Sequence, residues 1–516
     1  MNNFKLVIKS LARWFSIPWY FIVFSAYPVL ALLAFNVGQV KSSSGWRPLL
    51  VSVLIGALLF LLLRWILKDT YRAAFLSTLW LALFFSYGHI YIMLIGKWEK
   101  INITPYLLIA WLILAVLFYV WATRPRFTFR DSVLALNVVS LGLVITSLVQ
   151  ISSGVQKGDV HRLAAKNSPV QDLVLPPNPP DVYYFILDMY TRADLLKTAY
   201  GYDNSGFIHD LESRGFYVAQ CSQSNYTRTE ISLTSSLNLA YLQDLDPKFN
   251  DPNSIARGTL WDALKHNTVR YELENLGYKT ISFANGFAWS EWDDVNDFLT
   301  PPPFSSGMTE FETLFMQTTL ARTSQDFGWL DLDQIDGQNF RDRDMLVFNS
   351  MKTVAKMSGP KLVYVHLIMP HPPFVFGPDG THTDPADFWN DKKQYPAKTF
   401  GLGYTNQLTF LNHKLLDMID TIQSESKTPP IIVLQGDHGP WLQPNPQHFF
   451  ILNAYDLPGH TDQLYPKISP VNSFRYIFNN YFGGKYDMLP DITYYSPTPK
   501  LYNYSVVSNP CESDPN

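Results

Sequence analysis

Ile431-Ile432-Val433-Leu434-Gln435-Gly436-Asp437-His438-Gly439-Pro440 opens as a strand and closes as a turn. The four leading apolar residues form an uninterrupted run, as strands buried on both faces do. Gly436 ends the run, and a carboxylate and an imidazole follow at once. In an open α/β sheet, ligands gather outside the carboxyl ends of the strands. Asp437 and His438 therefore stand where a metal would sit, with the oxygen and nitrogen donors that a divalent cation takes. Gly-Asp-His-Gly-Pro is equally good turn chemistry. The stretch alone leaves both readings open.

The same pattern recurs upstream. Val182–Leu187 is β-branched and aromatic, reads as a strand, and ends on Asp188. Lys361–Leu367 is another buried strand, and it leads into Met369-Pro370-His371-Pro372-Pro373-Phe374, so His366 and His371 flank its end. Helical stretches near 207–214, 271–276 and 406–422 separate these runs, and Gly277 suits the residue that follows a helix. Strands alternating with helices imply a mostly parallel sheet covered on both faces. Residues 286–345 are rich in Asp, Phe, Pro and Thr and read as an insertion.

Between the first strand and that insertion lies a hydroxyl-rich stretch, Ser222 to Leu237. Its apolar positions Ile231, Leu233 and Leu237 predict a helix that begins near Thr229. A hydroxyl there faces the free N–H groups and positive dipole end of the helix, which suits a nucleophile carrying a phosphoryl group. Simple capping by Thr227 or Thr229 accounts for the same residues.

The first 150 residues are different in kind. Five apolar runs, at about 17–35, 49–67, 73–96, 103–123 and 132–151, approach the roughly 20 residues that a bilayer needs. Lys and Arg concentrate on one set of flanks: Lys5, Lys9 and Arg13, then Arg64, Lys68 and Arg72, then Arg124, Arg126 and Arg130. The opposite flanks carry Lys41, Arg47, Lys97 and Lys100. The positive-inside rule makes the first set cytoplasmic and puts everything after residue 152 on the outer side. Trp14, Trp19, Trp98, Trp111 and Trp121 stand mostly near run ends, as an aromatic belt does. His89 is the titratable group within a span and is expected to be a hydrogen-bonded structural histidine. Residues 152–180 end in Leu-Pro-Pro-Asn-Pro-Pro, a stiff spacer. The formal net charge of −4 gives no sign of nucleic-acid binding. Two cysteines, Cys221 and Cys511, are too few for a Cys-based zinc framework. They are free to pair in an oxidising compartment.

Asp188 after a strand, Thr229 at a helix start followed by Ser232, His366 with His371, and Gly436-Asp437-His438-Gly439 occur in that order. Together with the five spans they resemble the alkaline phosphatase/sulfatase superfamily. The nearest branch is that of membrane-anchored lipoteichoic acid synthases and lipid A phosphoethanolamine transferases. The resemblance implies an α-helical five-span membrane domain over 1–152 and a Pro-rich linker over 153–180. It implies a sulfatase-like α/β catalytic domain over 181–490, with a mostly parallel sheet, and a tail over 491–516. By the same likeness, Asp188, Thr229, Asp437 and His438 are metal ligands and Thr229 is the nucleophile. Arg228, His366 and His371 are substrate-side groups, with His371 as general acid and Arg228 as phosphate clamp; His448, ten residues past the Asp437-His438 pair, is near enough in sequence to reach the same cleft as a further substrate-side group. The implied cofactor is a divalent cation, Zn²⁺, Mn²⁺ or Mg²⁺, with Ca²⁺ a further candidate. The implied reaction moves a phospho-group from a membrane lipid donor to an envelope glycan or lipid acceptor. The chain would sit in the inner (cell) membrane, with a cytoplasmic N-terminus and a periplasmic or extracellular catalytic domain. A phosphodiesterase or sulfuric ester hydrolase is the alternative enzyme, and an envelope glycan-binding protein the alternative without catalysis. Departures from the family are Asp188, where those transferases and synthases carry Glu, and Thr227-Arg228, where the synthases carry Gly-Lys. True sulfatase chemistry needs a Cys or Ser in a Cys/Ser-x-Pro/Ala-x-Arg setting. Cys221 has Gln223 and Asn225 at the two critical positions.

Overall fold

The computed structural model describes residues 15–95, 102–154, 172–254, 257–302, 305, 307–384, 397–440, 443–498 and 500–511. Lys5, Lys9, Arg13, Trp14, Lys97, Trp98 and Lys100 lie outside them. The chain divides into two compact units: Met1–Gln156 with Ser306–Asp336, and Lys157–Ser305 with Gly337–Asn516.

The first unit holds apolar helices at Tyr20–Phe35, Trp46–Leu67, Thr70–Ile95, Thr104–Thr123 and Val133–Gly154. The last four are long and apolar enough to cross a membrane; the first, at 16 residues, is shorter. It starts at Tyr20 because the buried Asn137 side chain intervenes there. Asn137 Oδ1 accepts the Tyr20 N–H at 2.9 Å, and its Nδ2 donates to the Phe15 and Ile17 carbonyls. The amide thus satisfies backbone groups that another helical turn would have used. His89 departs from expectation. It is exposed on its helix, and its ring makes no hydrogen bond among the described residues.

The stretch read as an insertion is divided between the units. Its middle belongs with the apolar helices. The Glu310–Thr318 helix opens with a capping box between Thr309 and Glu312. Phe311 packs among Val29 and Leu33. A Cβ at Gly88 would meet the Gln317 carbonyl at 2.1 Å, so the contact needs a residue without a side chain. Thr104 donates to Asp326 at 3.0 Å.

The second unit is built on a seven-stranded sheet. Its strands are β1 (Val182–Leu187), β2 (Tyr217–Val218), β3 (Lys279–Phe283), β4 (Asp297–Leu299), β5 (Lys361–Leu367), β6 (Ile431–Gly436) and β7 (Asn453–Asp456). The order is β2-β7-β6-β1-β5-β3-β4, and β7 runs antiparallel to both its neighbours while the other pairings are parallel. The central strands are buried along their whole length, as their continuous apolar runs require. Side chains alternate faces with period two. Tyr183, Phe185 and Leu187 pack with Val347, Met351, Leu411 and Leu415 from the Leu332–Ala355 and Ala397–Glu425 helices. Val182, Tyr184 and Ile186 pack with Leu233, Leu273, Phe474 and Ile477 from the Thr229–Leu237, Thr268–Asn275 and Pro470–Tyr481 helices.

The described part of the proline-rich segment docks on this unit: Val174 N–H donates to the Phe482 carbonyl at 2.8 Å, and Tyr278 Oη to Pro180. The C-terminal residues form a small antiparallel sheet, β8 (Thr493–Tyr495) with β9 (Ser505–Val507). A Cys221–Cys511 disulfide, with 5.5 Å between the Cα atoms, fastens it.

Asp344 lies 5 % exposed on the Leu332–Ala355 helix. Burial pushes its carboxyl up to about 7, against the pull of Arg343 and Arg341. Between the ordinary carboxylate range near ~4 and about 7, the folded chain therefore binds more protons than the unfolded one, and stability falls as pH rises through that window. Asp344→Asn is expected to gain over the parent at pH 8 by up to roughly 4 kcal/mol and to match it near pH 4. Thermal melts of the detergent-solubilised chain across this range check it; equal slopes with pH would refute it.

Candidate metal centre

β1 pairs with β6 so that Leu187 is opposite Gly436, and with β5 so that Leu187 is opposite Leu367. The next residue on each of the first two strands is an aspartate. The pairing therefore sets Asp188 and Asp437 side by side at the carboxyl end of the sheet. Both follow the parity of Val182, Tyr184 and Ile186, and so does His366 across the ladder. That face of the sheet is the one covered by the Thr229–Leu237 helix. Period-two alternation thus aims two carboxylates and an imidazole at the start of one helix.

All of these groups are buried. Asp437 is 0 % and Asp188 5 % exposed. His438 Nε2 lies 3.5 Å from Asp437 Oδ2, 4.0 Å from Asp188 Oδ1 and 3.2 Å from Thr229 Oγ1. A tetrahedral cation with donors at ~2.0–2.2 Å spaces its ligand atoms ~3.3–3.6 Å apart, close to these separations. Asp188 Oδ1 and Asp437 Oδ2 have no hydrogen-bond partner among the described residues. Buried carboxylate oxygens left unpaired are expensive. Two that face one imidazole fit a site for a divalent ion. The other Asp437 oxygen is occupied, accepting the Met189 and His438 N–H groups at 3.0 and 2.8 Å.

The two histidines differ in tautomer. His438 Nδ1 donates to the Gly439 carbonyl at 2.8 Å, which leaves its Nε2 lone pair aimed at the carboxylates and Thr229. Asn285 is oriented by the Phe287 N–H on its Oδ1, so its Nδ2 donates to His366 Nδ1 at 3.1 Å. His366 Nδ1 thus accepts, and its Nε2 faces Asp188 Oδ2 at 3.5 Å. Asp188, His366 and Asp437 cluster closely enough to hold an ion. Of the two imidazoles, His438 has its Nδ1 donating to a carbonyl and His366 has its Nδ1 accepting from an amide.

Electrostatics follow from burial and these neighbours. Burial and the adjacent Asp188 raise the Asp437 carboxyl above its ordinary range. Burial acts on Asp188 in the same sense, but His371, His366 and His438 outweigh it and bring it down to about 2. His438 is held up by Asp437 and Asp188 despite its burial. A cation would displace the proton that this favours.

Thr229 is the first residue of its helix, with Arg228 in extended geometry before it. Thr227 is turned away: its hydroxyl accepts the Ser496 N–H at 2.9 Å. Ser232, one turn on, donates to the Asp437 carbonyl at 2.8 Å and ties the helix to the β6 turn. Arg228 bonds Thr498 and is half-buried. His371 is also half-buried, its N–H on the Asp188 carbonyl at 3.2 Å. His448 stacks on His438 at 5.4 Å. Its Nε2 donates to the Thr227 carbonyl at 2.8 Å, so it braces the bend entering the helix. Burial, with His438 beside it, brings its imidazole down to about 4, consistent with a neutral ring.

Three residues in this site carry no chemistry of their own. Met189 adopts φ 65°, and this left-handed residue turns its N–H onto Asp437. Gly436 and Gly439 allow close approach: a Cβ at Gly436 would meet the Tyr190 carbonyl at 2.3 Å, and one at Gly439 the Phe450 carbonyl at 2.8 Å. A turn reading of the glycines foresees a bend at these positions; the packing against Tyr190 and Phe450 lay beyond any local signal.

No protein-family model matches the chain, and no curated protein matches it significantly. Solved structures similar to it include the C-terminal periplasmic domain of EcEptC from Escherichia coli in complex with Zn. That domain is 13% identical, covering 66% of this chain and 96% of its own, at a TM-score of 0.41. The integral membrane protein lipooligosaccharide phosphoethanolamine transferase A (EptA) from Neisseria meningitidis is 11% identical, covering 85% and 88%, at 0.34. The phosphonate monoester hydrolase of Agrobacterium radiobacter is 11% identical, covering 61% and 80%, at 0.37. At these scores the functional reading rests on the atoms of the site.

Gly436→Ala is expected to destabilise the chain by about 1–3 kcal/mol, because backbone must move to admit the methyl. Gly258, on the Arg257–Lys265 helix, has open space around it. Gly258→Ala is expected to add roughly 0.5–1 kcal/mol from reduced backbone freedom. Melting temperatures of the two variants should move in opposite directions.

Proposed function

We propose that the chain is a membrane-anchored, metal-dependent phospho-group transferase. It acts through Thr229 on phosphodiesters of a membrane lipid donor, with an envelope glycan or lipid as acceptor. One observation carries the reading: the Thr229 hydroxyl lies 3.2 Å from His438 Nε2, the same nitrogen that lies 3.5 and 4.0 Å from two buried carboxylate oxygens with no hydrogen-bond partner among the described residues. A hydroxyl held for capping alone has no need of two unpaired carboxylates. The four membrane-length helices of the same chain support a substrate drawn from a bilayer.

Asp188, Asp437, His438 and Thr229 are the residues that would hold the cation. When bound, a divalent ion supplies Lewis acidity, which lowers the pKa of a coordinated hydroxyl and neutralises charge on phosphoryl oxygens. Thr229 Oγ1, its proton given up to solvent beforehand, attacks phosphorus in line with the leaving oxygen. A P–O bond to Thr229 forms as the bond to the leaving alcohol breaks, and His371 gives that alcohol its proton. Arg228 and the N-terminal end of the Thr229–Leu237 helix favour the charge that gathers on the equatorial oxygens. The acceptor hydroxyl then attacks the phospho-Thr229, with His371 taking its proton, and Thr229 Oγ1 leaves. Ser232 and His448 keep Thr229 in place from the two sides.

Sulfate ester hydrolysis is less compatible with these residues. Cys221 is committed to its disulfide with Cys511, and Thr cannot form the aldehyde that such chemistry uses. Hydrolysis of phosphodiesters, with water as acceptor, uses the same Thr229 step.

Thr229→Ala is expected to lose activity by about a thousand-fold or more while keeping its fold. Mass spectrometry of the parent, incubated with lipid extract and Zn²⁺ or Mn²⁺, should find a phospho-adduct on Thr229. Its mass would name the head group. Chelation should abolish the adduct and lower the melting temperature, and the metal should restore both. Full activity in Thr229→Ala would end the proposal.

A further inference from the structure

The first unit contains a partly open cavity of about 280 Å³. It lies among Val51 and Ile55 of the Trp46–Leu67 helix, Phe85 of the next helix, and Phe315 and Met316 of the Glu310–Thr318 helix. Arg47 and Glu312 also line it, paired at 3.1 Å toward the start of the Trp46–Leu67 helix. The polar groups in its wall are already engaged. Ser52 donates to the Ser25 carbonyl, Thr319 to the Met316 carbonyl, and Glu312 accepts the Thr309 N–H. A water inside needs two to four polar partners, and an apolar wall with its polar groups spent offers few. Left empty, such a void forfeits the contacts of every side chain around it. The space calls for an apolar occupant.

What can reach it is set by the helix that lines it. Val51 faces the cavity and is also 52 % exposed, so one wall meets the outside. Leu54 and Leu58 on the same helix are likewise exposed, and that helix is among those long and apolar enough to cross a membrane. The medium outside Val51 is then hydrocarbon. The Arg47 side chain is 33 % exposed. An Arg one turn from an apolar opening, near the helix start, is placed to take phosphate oxygens at the depth where head groups lie.

We infer that this cavity holds one acyl chain of a membrane phospholipid, with the lipid phosphate on Arg47. The site is independent of the chemistry at Thr229. It fastens the Glu310–Thr318 helix to the apolar helices through a lipid that both contact.

The test uses the full chain reconstituted in phosphatidylcholine vesicles doped with a phosphatidylglycerol that carries a diazirine in its acyl chain. After irradiation and proteolysis, adducts are expected on Phe315 or Met316 and on Val51 or Ile55. The lipid-exposed Thr104–Thr123 helix serves as internal standard. Val51→Trp, which closes the opening, should abolish the adducts on Phe315 and Met316 while the standard is unchanged. Ile55→Phe, which fills the space from within, is the second variant should Val51→Trp fail to fold. Arg47→Gln should weaken labelling by the phospholipid probe but not by a diazirine alkane of the same chain length. Absence of adducts on 308–321 while the standard labels would overturn the site, as would adducts that persist in both filling variants. Equal labelling of Arg47→Gln by the phospholipid would overturn the phosphate contact.

Discussion

Two aspartates on adjacent strands, both buried and each with an oxygen unpaired among the described residues, set the terms for the second unit. Asp188 and Asp437 are forced together by the β1–β6 register, because Leu187 stands opposite Gly436. Two like charges side by side in a buried site cannot both ionise without a compensating charge. The chain answers in part with His366, His371 and His438, which act on Asp188. A divalent cation would supply the rest, so the geometry that makes the sheet end costly is also the one that makes it a ligand set.

Everything around the pair serves that arrangement. Ser232 ties the Thr229–Leu237 helix to the Asp437 carbonyl, and His448 braces the chain that enters it. Gly436 and Gly439 let the β6 turn lie against Tyr190 and Phe450 with no room for a methyl. Met189 spends backbone strain to point its N–H at Asp437. The two imidazoles are separated into roles by second partners: a carbonyl behind His438 and an amide behind His366. Residue type alone does not tell the two histidines apart; the hydrogen bonds behind them distinguish acceptor from donor.

The first unit shows a different economy. Its helices meet through small residues and buried amides as much as through hydrocarbon. Gly88 admits the Gln317 carbonyl, and Asn137 caps the Tyr20–Phe35 helix from the last helix of the group. The stretch 306–336, although distant in sequence, packs with these helices. Thr309-Glu310-Phe311-Glu312 has the spacing of a capping box, so the start of that helix was legible locally. Its destination was not, because packing partners that far apart leave no periodic trace in either segment.

From its sequence alone the chain determined where β1, β5 and β6 run, that they are buried on both faces, and that Asp188, Thr229, Asp437 and His438 stand at element ends. These are local matters: apolar runs, terminal polar residues and helix-start chemistry are written in consecutive positions. The four later apolar helices were legible for the same reason. The tertiary structure decided the rest. Register between strands that are 249 residues apart in number, Leu187 against Gly436, brought the two carboxylates together. Contacts across the fold set the histidine tautomers, closed the Cys221–Cys511 disulfide and drew part of the insertion to the apolar helices. Such choices rest on which surfaces meet, and a single strand or helix does not encode its partner's position.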